Sequence, residues 1–414
     1  MFQNNKAVRA LEWIADLSLC LCMFLETAVP HTTVSQASLL FFFLCTGVLA
    51  FQKRHLYFSW WMIVAGLVIV WSAIVSFGWA LDRTVSLQMV QTLIITTAFF
   101  FFLFQYLLLR GNLRRYLGVY VISALLIVGY LFYIERTLDW SVSRLGLTDG
   151  VHPNIVGMVS AFAFGACILL VGEKKRLFWL LPIPFLLIAV VLTMSVKSAA
   201  LAGFLLVALL LVRFPKHWGW KLGGLIVGGF VIFYLAVMTD NPLSRGVLHR
   251  VRDVAIFIFN GEGMGGSLTE RSSLASAAFS WFLKRPFTGW GLGCFRFLEG
   301  SLGVYSHCNY TELLVSGGIP LAVIYYAGQL GAFIYASRAL KRTKSLDASE
   351  QNLALRRLVI AFCVFLAARF ILDIAVVSYF ERQDAVFSVL LIAAARLLLM
   401  QSGAKEGDAL RAAN

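Results

Sequence analysis

The chain has 414 residues, of which 60% are apolar and only 14% charged, and its mean hydropathy is +0.82. A soluble domain carries about 25% charged residues to meet water. This composition therefore excludes a soluble globular chain, a disordered chain and a fibrous repeat, and predicts an all-α polytopic membrane protein. The net charge of +14 does not point to nucleic acid, because Lys and Arg crowd the short loops between apolar runs, where membrane topology uses them.

A hydrocarbon core of about 30 Å needs roughly 20 mostly apolar residues per helix, and an open strand in lipid leaves backbone groups unpaired. Twelve runs qualify, at 11–27, 34–52, 57–80, 85–109, 115–134, 154–172, 176–194, 196–213, 221–238, 310–337, 356–379 and 385–400. The first lacks a small-x-small cleavage site and reads as a span rather than a signal peptide. Only Met194 and Ser195 separate the seventh and eighth, which predicts a tight hairpin. The organisation is thus spans one to nine (1–238), a long loop (239–308), spans ten to twelve (309–400) and a short tail (401–414).

Basic residues collect in alternate connections: Lys6, Arg9, Lys53, Arg54, Arg110, Arg114, Arg115, Lys174, Lys175, Arg176, Arg213, Lys216, Lys221 and the cluster from Arg338 to Arg357. The short connections of the other set are nearly bare, so the positive-inside rule predicts both termini in the cytoplasm. No internal or inverted repeat is visible, which disfavours a secondary transporter.

The loop 239–308 is then extracytoplasmic. Apolar residues recur at helical spacing over 242–259 and 268–282, and Pro286, Gly289, Gly291 and Gly293 break the chain after them. Its aromatics, among them Phe257, Phe279, Trp281, Trp290 and Phe295, argue against disorder. The expectation is a folded cap of short helices at the outer membrane surface. Cys294 and Cys308 lie in or beside it, and two readings stay open: an extracytoplasmic disulfide, or two small thiols.

No HExxH, GxSxG or Walker A motif occurs, so the expected chemistry needs no metal or cofactor and draws on energy stored in its substrate. His307, in Tyr305-Ser306-His307-Cys308-Asn309-Tyr310-Thr311-Glu312, stands where a polar loop enters the tenth span. Imidazole suits proton abstraction near neutral pH; the alternative is an interfacial histidine capping the helix. Arg271 precedes the second cap helix, where a guanidinium and a helix N-terminus suit a diphosphate; the alternative is a solvated ion pair with Glu270 or Glu262. Lys197, at the outer end of the eighth span, either snorkels to headgroups or binds an anionic substrate. Arg369 and Asp373, spaced i,i+4, predict an intramembrane ion pair. Arg382 and Asp384 lie in the last external turn. Arg144 and His152-Pro153-Asn154 form a third polar group, with Pro153 and Asn154 also suited to starting a helix.

Arg271, then Pro286-Phe287-Thr288-Gly289-Trp290-Gly291-Leu292-Gly293-Cys294-Phe295, then Ser306-His307-Cys308-Asn309-Tyr310 and Gly317-Gly318 together resemble the signature region of the O-antigen ligases and their relatives. That pattern is an arginine, a Pro-x-x-Gly-x-Gly-x-x-x-Phe turn, then a histidine and asparagine opening a helix that ends in a glycine pair. The likeness covers about 50 residues, and twelve spans with one large periplasmic loop agree with it. It implies a GT-C type glycosyltransferase of the bacterial inner membrane, working at the periplasmic face. Such an enzyme moves a glycan en bloc from undecaprenyl diphosphate to a sugar of lipid A–core, completing lipopolysaccharide.

Carried over, His307 is the base, and Arg271, Lys197 and Arg382 hold the diphosphate. Lys197 stands in Ser195-Val196-Lys197-Ser198, where the family usually has arginine, and lacks the bidentate fork. Tyr305, Asn309, Arg144, His152, Asn154 and Asp384 are assigned to acceptor or sugar contacts. The implied partners are the lipid-linked O-antigen donor, the lipid A–core acceptor and membrane lipids, with no nucleic acid. An O-antigen polymerase and an O-linked oligosaccharyltransferase are rivals within the superfamily. A lipid-linked glycan transporter is a rival of another class.

Overall fold

The computed structural model describes residues 6–30, 32–138, 143–147, 151–171, 177–213, 267–343, 350–380 and 382–401. All regular structure among them is helical. In chain order the helices are α1 (Lys6–Ala28), α2 (Thr33–Lys53), α3 (Trp61–Gly78), α4 (Arg83–Arg110), α5 (Leu113–Ile134), α6 (Pro153–Val171), α7 (Pro182–Leu192), α8 (Val196–Arg213), α9 (Ser267–Lys284), α10 (Asn309–Arg342), α11 (Glu350–Leu372) and α12 (Arg382–Gln401). Single 3₁₀ turns occur at Leu177–Leu180 and Cys294–Phe297.

Eleven of the twelve apolar runs coincide with helical segments; the ninth, 221–238, and the first predicted cap helix, 242–259, lie outside the described residues. Six helices (α2, α3, α4, α5, α6 and α10) are long and apolar enough to cross a membrane, and α7, α8 and α12 contribute shorter apolar stretches. Large apolar side chains such as Phe51, Ile63, Leu67 and Val70 point outward from α2 and α3. A helix that is apolar on its outer face too is at home in hydrocarbon rather than water. The protein is a helical membrane protein.

Three runs depart from the simple expectation; in one of them, 356–379, the helix α11 ends at Leu372 and residues 373–379 are not helical. The run 176–194 is a 3₁₀ turn followed by α7, because Pro182 takes a first-turn position of the new helix, where its missing N–H costs nothing. The run 310–337 is one long helix interrupted at Gly318, whose φ of 69° and ψ of −170° are non-helical. The tight hairpin is present: α7 ends at Leu192, Met194 adopts φ 47°, and α8 starts at Val196.

The chain forms two compact units. One comprises Met1–His55 with Leu109–Phe259, the other Leu56–Leu108 with Asn260–Asn414. In the first unit, α1 packs on α2 and α5, and α6 packs on α5, α7 and α8. A Cβ on Gly157 of α6 would lie 2.7 Å from the Thr193 hydroxyl oxygen, so this contact needs a residue without a side chain. At the other end of the unit, Glu12 and Asp16 of α1 meet three cations. Lys53 bonds Glu12 at 2.6 Å and the Leu109 carbonyl at 2.6 Å. Arg110 pairs with Glu12 and forks onto Asp16 with two bonds of 3.1 Å. Arg115 reaches Asp16 at 2.6 Å and stacks over Trp13. Two carboxylates and three cations thus tie α1, α2 and α5 together.

In the second unit, α10 is central: α3, α9 and α12 pack on it, and α11 packs on α12. A Cβ on Gly328 would approach Val64 to 2.8 Å, and one on Gly331 would approach the Trp60 ring to 2.5 Å. Two glycines therefore let α3 lie close against α10.

Removing one partner from a buried charge pair strands the others. We expect Asp16→Ala to destabilise the protein by about 3 kcal/mol, read as a lower thermal midpoint in detergent. A midpoint unchanged from wild type would mean that the charge cluster does not hold the helices.

Candidate functional site

The resemblance-bearing motifs all fall in the second unit. Their organising feature is a seam of backbone hydrogen bonds between the Pro286–Gly291 turn and the interruption in α10. Pro320 has no N–H, and the Gly318 conformation turns the Ile319 N–H away from its helical acceptor. A helix so broken leaves carbonyls exposed. The turn takes them up: Trp290 N–H donates to the Val315 carbonyl (2.8 Å) and Gly291 N–H to that of Ser316 (2.9 Å). In return Ile319 N–H donates to the Pro286 carbonyl at 2.8 Å. The Trp71 indole of α3 caps the Gly317 carbonyl at 2.8 Å.

Glycine is needed on both sides of this seam. A Cβ on Gly289 would lie 2.5 Å from the Ser316 carbonyl, and a Cβ on Gly318 would lie 2.5 Å from that of Phe287. Both residues also have positive φ.

Around the seam the loop is fastened on two further sides. On one, Leu81 N–H donates to the Trp290 carbonyl (2.9 Å), and Leu292 N–H donates to Ser86 Oγ (2.9 Å). On the other, the Trp290 indole donates to the Trp281 carbonyl (2.9 Å) and the Trp281 indole to that of Glu299 (2.8 Å), with the two rings edge to face. Leu274, Ala278 and Phe282 of α9 complete the packing against Phe295, Leu298 and Val315. Arg271 stands one turn before Leu274 on this inward face and is itself half-buried. The second predicted cap helix is therefore present as α9, but Arg271 lies in its second turn rather than before it. The helix already starts at Ser267, so the guanidinium does not sit at the helix N-terminus as the sequence pattern predicts.

His307 closes the loop. It is half-buried, adopts φ 58°, and places its ring 4.3 Å from that of Tyr305. A non-glycine residue in the left-handed region is held there by its surroundings. Buried Glu312 accepts the Ser306 N–H at 2.8 Å, and the Ser306 hydroxyl donates to the Cys308 carbonyl at 2.9 Å. These bonds pin the residues on either side of His307. Glu312 was not singled out by sequence; its place six residues after Ser306, in the first turn of a helix, was the available signal.

Asn309 takes a different role from the expected sugar contact. It is fully buried, and its amide Nδ2 donates to Tyr326 (3.0 Å) and Asp373 (3.2 Å), while Oδ1 accepts from the N–H groups of Ser378 (2.9 Å) and Tyr379 (3.1 Å). An asparagine amide has two donors and an acceptor oxygen, and all are engaged in framework. Asp373 is the hub: it pairs with Arg369 at 2.9 Å, as the i,i+4 spacing predicts, and accepts from Ser378 Oγ and Tyr326. This network joins the start of α10 to the segment after α11.

The cysteines are free thiols. Cys294 is buried with its sulfur 3.4 Å from the Asp82 carbonyl, and burial pushes its thiol above the ordinary range.

The first unit gathers the other polar group. Arg144 donates to the Thr193 carbonyl (2.8 Å) and to Asn154 Oδ1 (3.3 Å). His152 Nδ1 accepts the Asn154 N–H at 3.2 Å, so the histidine, rather than Asn154, serves the helix start opened by Pro153. Lys197 is half-buried in the first turn of α8, four residues beyond Thr193. A cation there opposes the helix dipole. Arg382 and Asp384 fall in the first turn of α12, and their side chains lie outside those described.

Compared with known proteins, the chain matches no family model and no curated protein.

The seam makes a sharp prediction. Gly318→Ala adds a penalty of about 1–3 kcal/mol for a side chain at φ 69° and ψ −170°, a region essentially kept for glycine, to a clash with backbone that cannot move aside, so its total cost should exceed about 3 kcal/mol. Gly303→Ala, with φ 76° but nothing within 4 Å of its Cβ, should cost only about 1 kcal/mol. Equal thermal shifts for the two variants would remove the seam as a constraint.

Proposed function

We propose that this protein is a glycan ligase of the O-antigen ligase kind, transferring an oligosaccharide from undecaprenyl diphosphate to a sugar of lipid A–core. The observation that supports this most is the interlocking of the resembling motifs. The Pro286–Gly291 turn and the Gly317-Gly318 break are partners in one seam, and the loop between them delivers His307 in a constrained conformation beside Tyr305. A half-buried imidazole on a rigid frame is suited to acting as a general base.

In the proposed step His307 accepts the proton of the acceptor hydroxyl as that oxygen attacks the anomeric carbon. The bond from that carbon to the diphosphate oxygen breaks, and the lipid diphosphate leaves with the electron pair. Arg271, together with Arg382 as assigned from sequence, stabilises the charge growing on the leaving group, as preorganised donors do. One displacement inverts the anomeric configuration. The reading places both termini in the cytoplasm of a bacterial cell and the reaction at the periplasmic face of its inner membrane.

Reconstitution with purified lipid-linked glycan and lipid A–core tests the proposal. Product on the core glycolipid supports it; longer lipid-linked chains would instead select a polymerase, and absence of any covalent product a transporter. His307→Ala should lower product formation at least about 100-fold with an unchanged unfolding midpoint. Arg271→Lys should retain part of the activity that Arg271→Ala loses, because charge survives without the fork. Normal rates from His307→Ala would remove the base from the mechanism.

A further inference from the structure

In the second unit, α3 and α4 are both long and apolar enough to cross a membrane. The turn between them, from Trp79 to Asp82, therefore stands at the boundary between hydrocarbon and water. Two contacts bring the loop after α9 to the same level. Leu81 N–H donates to the Trp290 carbonyl at 2.9 Å, and the Arg285 guanidinium reaches the Trp79 carbonyl at 3.5 Å.

This end of the unit carries three cations, each laid on an aromatic ring. Lys284 Nζ lies 3.4 Å from the centre of the Trp281 ring, the guanidinium carbon of Arg285 lies 4.0 Å from that of Trp290, and that of Arg83 lies 4.7 Å from that of Phe77. Such stacking fixes where the charge sits without neutralising it. Among the described residues none of the three has a carboxylate partner. Asp82, next to Arg83, turns its carboxylate to the Val85 N–H at 3.0 Å and so caps α4 instead. Lys53, Arg110 and Arg115 of the first unit, by contrast, are matched by Glu12 and Asp16.

Apolar side chains stand beside these cations. Phe77, Leu283 and Phe287 are 58%, 61% and 66% exposed. Uncompensated positive charge next to exposed aromatic and aliphatic groups, at the edge of a hydrocarbon layer, matches lipid headgroups above acyl chains. We propose that this face binds an anionic glycerophospholipid, with Lys284, Arg285 and Arg83 around its phosphate and the apolar side chains among the upper acyl carbons. A zwitterionic headgroup brings an ammonium of its own to a face that already holds three cations, so the anionic class fits better. The proposal does not rest on glycan transfer.

The full chain in phosphatidylcholine nanodiscs, doped with diazirine-bearing phosphatidylglycerol, provides the test. Labelling of the peptides that contain Arg83 and Lys284 should saturate. Unlabelled phosphatidylglycerol should compete, whereas phosphatidylethanolamine and inorganic pyrophosphate should not. Lys284→Gln combined with Arg285→Gln should raise the half-saturating lipid fraction about 30-fold, and Arg83→Gln alone about fivefold. Each variant is compared only as a single species on gel filtration, and Arg83→Gln serves if the double variant does not fold. Labelling that never saturates is that of surrounding lipid and overturns the proposal. Equal competition by phosphatidylethanolamine or pyrophosphate, or unchanged half-saturation in the variants, overturns it as well.

Discussion

A broken membrane helix must find partners for the backbone groups it releases, and much of the second unit follows from how α10 does so. Pro320 and the Gly318 conformation release the carbonyls of Val315 and Ser316 in a setting where water is scarce. The Pro286–Gly291 turn supplies the missing donors and receives the Ile319 N–H in exchange. Because the two backbones touch, Gly289 and Gly318 leave no space for a side chain at either point of closest approach. Each element supplies the hydrogen-bond partners that the other's conformation leaves open.

Once the turn is docked, the path of the residues after it is narrowly set. Trp281 and Trp290 bridge α9 to the loop, and Ser86 receives Leu292 from the opposite side. Asn309 and Asp373 anchor the far end, where the chain re-enters a helix. Between these anchors His307 has little freedom, and Glu312 holds the residue before it. Rigid support of this kind is what the base of the proposed transfer needs to stay within reach of its substrate.

The parts of this molecule that can be read from sequence are those whose physics is local. Length of apolar run decides helix in lipid, so the helical segments are legible almost everywhere. The i,i+4 spacing of Arg369 and Asp373 is enough to pair them. Pro182 shows where local reading slips: its run is continuous by hydropathy alone, yet a proline favours a helix start and divides it. Asn309 slips for another reason. Its polarity beside His307 resembles that of a ligand contact, and only the segment after α11, more than 60 residues along, reveals that its amide is already committed. Cys294 likewise has its neighbour in Asp82, over 200 residues away.

Composition and charge pattern by themselves determined that this is a helical membrane protein, where most of its helices run, and which residues carry chemistry worth testing. Those conclusions need only the cost of burying charge and backbone in hydrocarbon, which acts on each segment separately. Tertiary structure alone decided that the Pro286 turn and the Gly317-Gly318 break are one object and that Asn309 is framework. Each of these is a meeting of groups distant along the chain, several made through backbone atoms that every residue possesses, and such meetings leave no mark in the order of side chains.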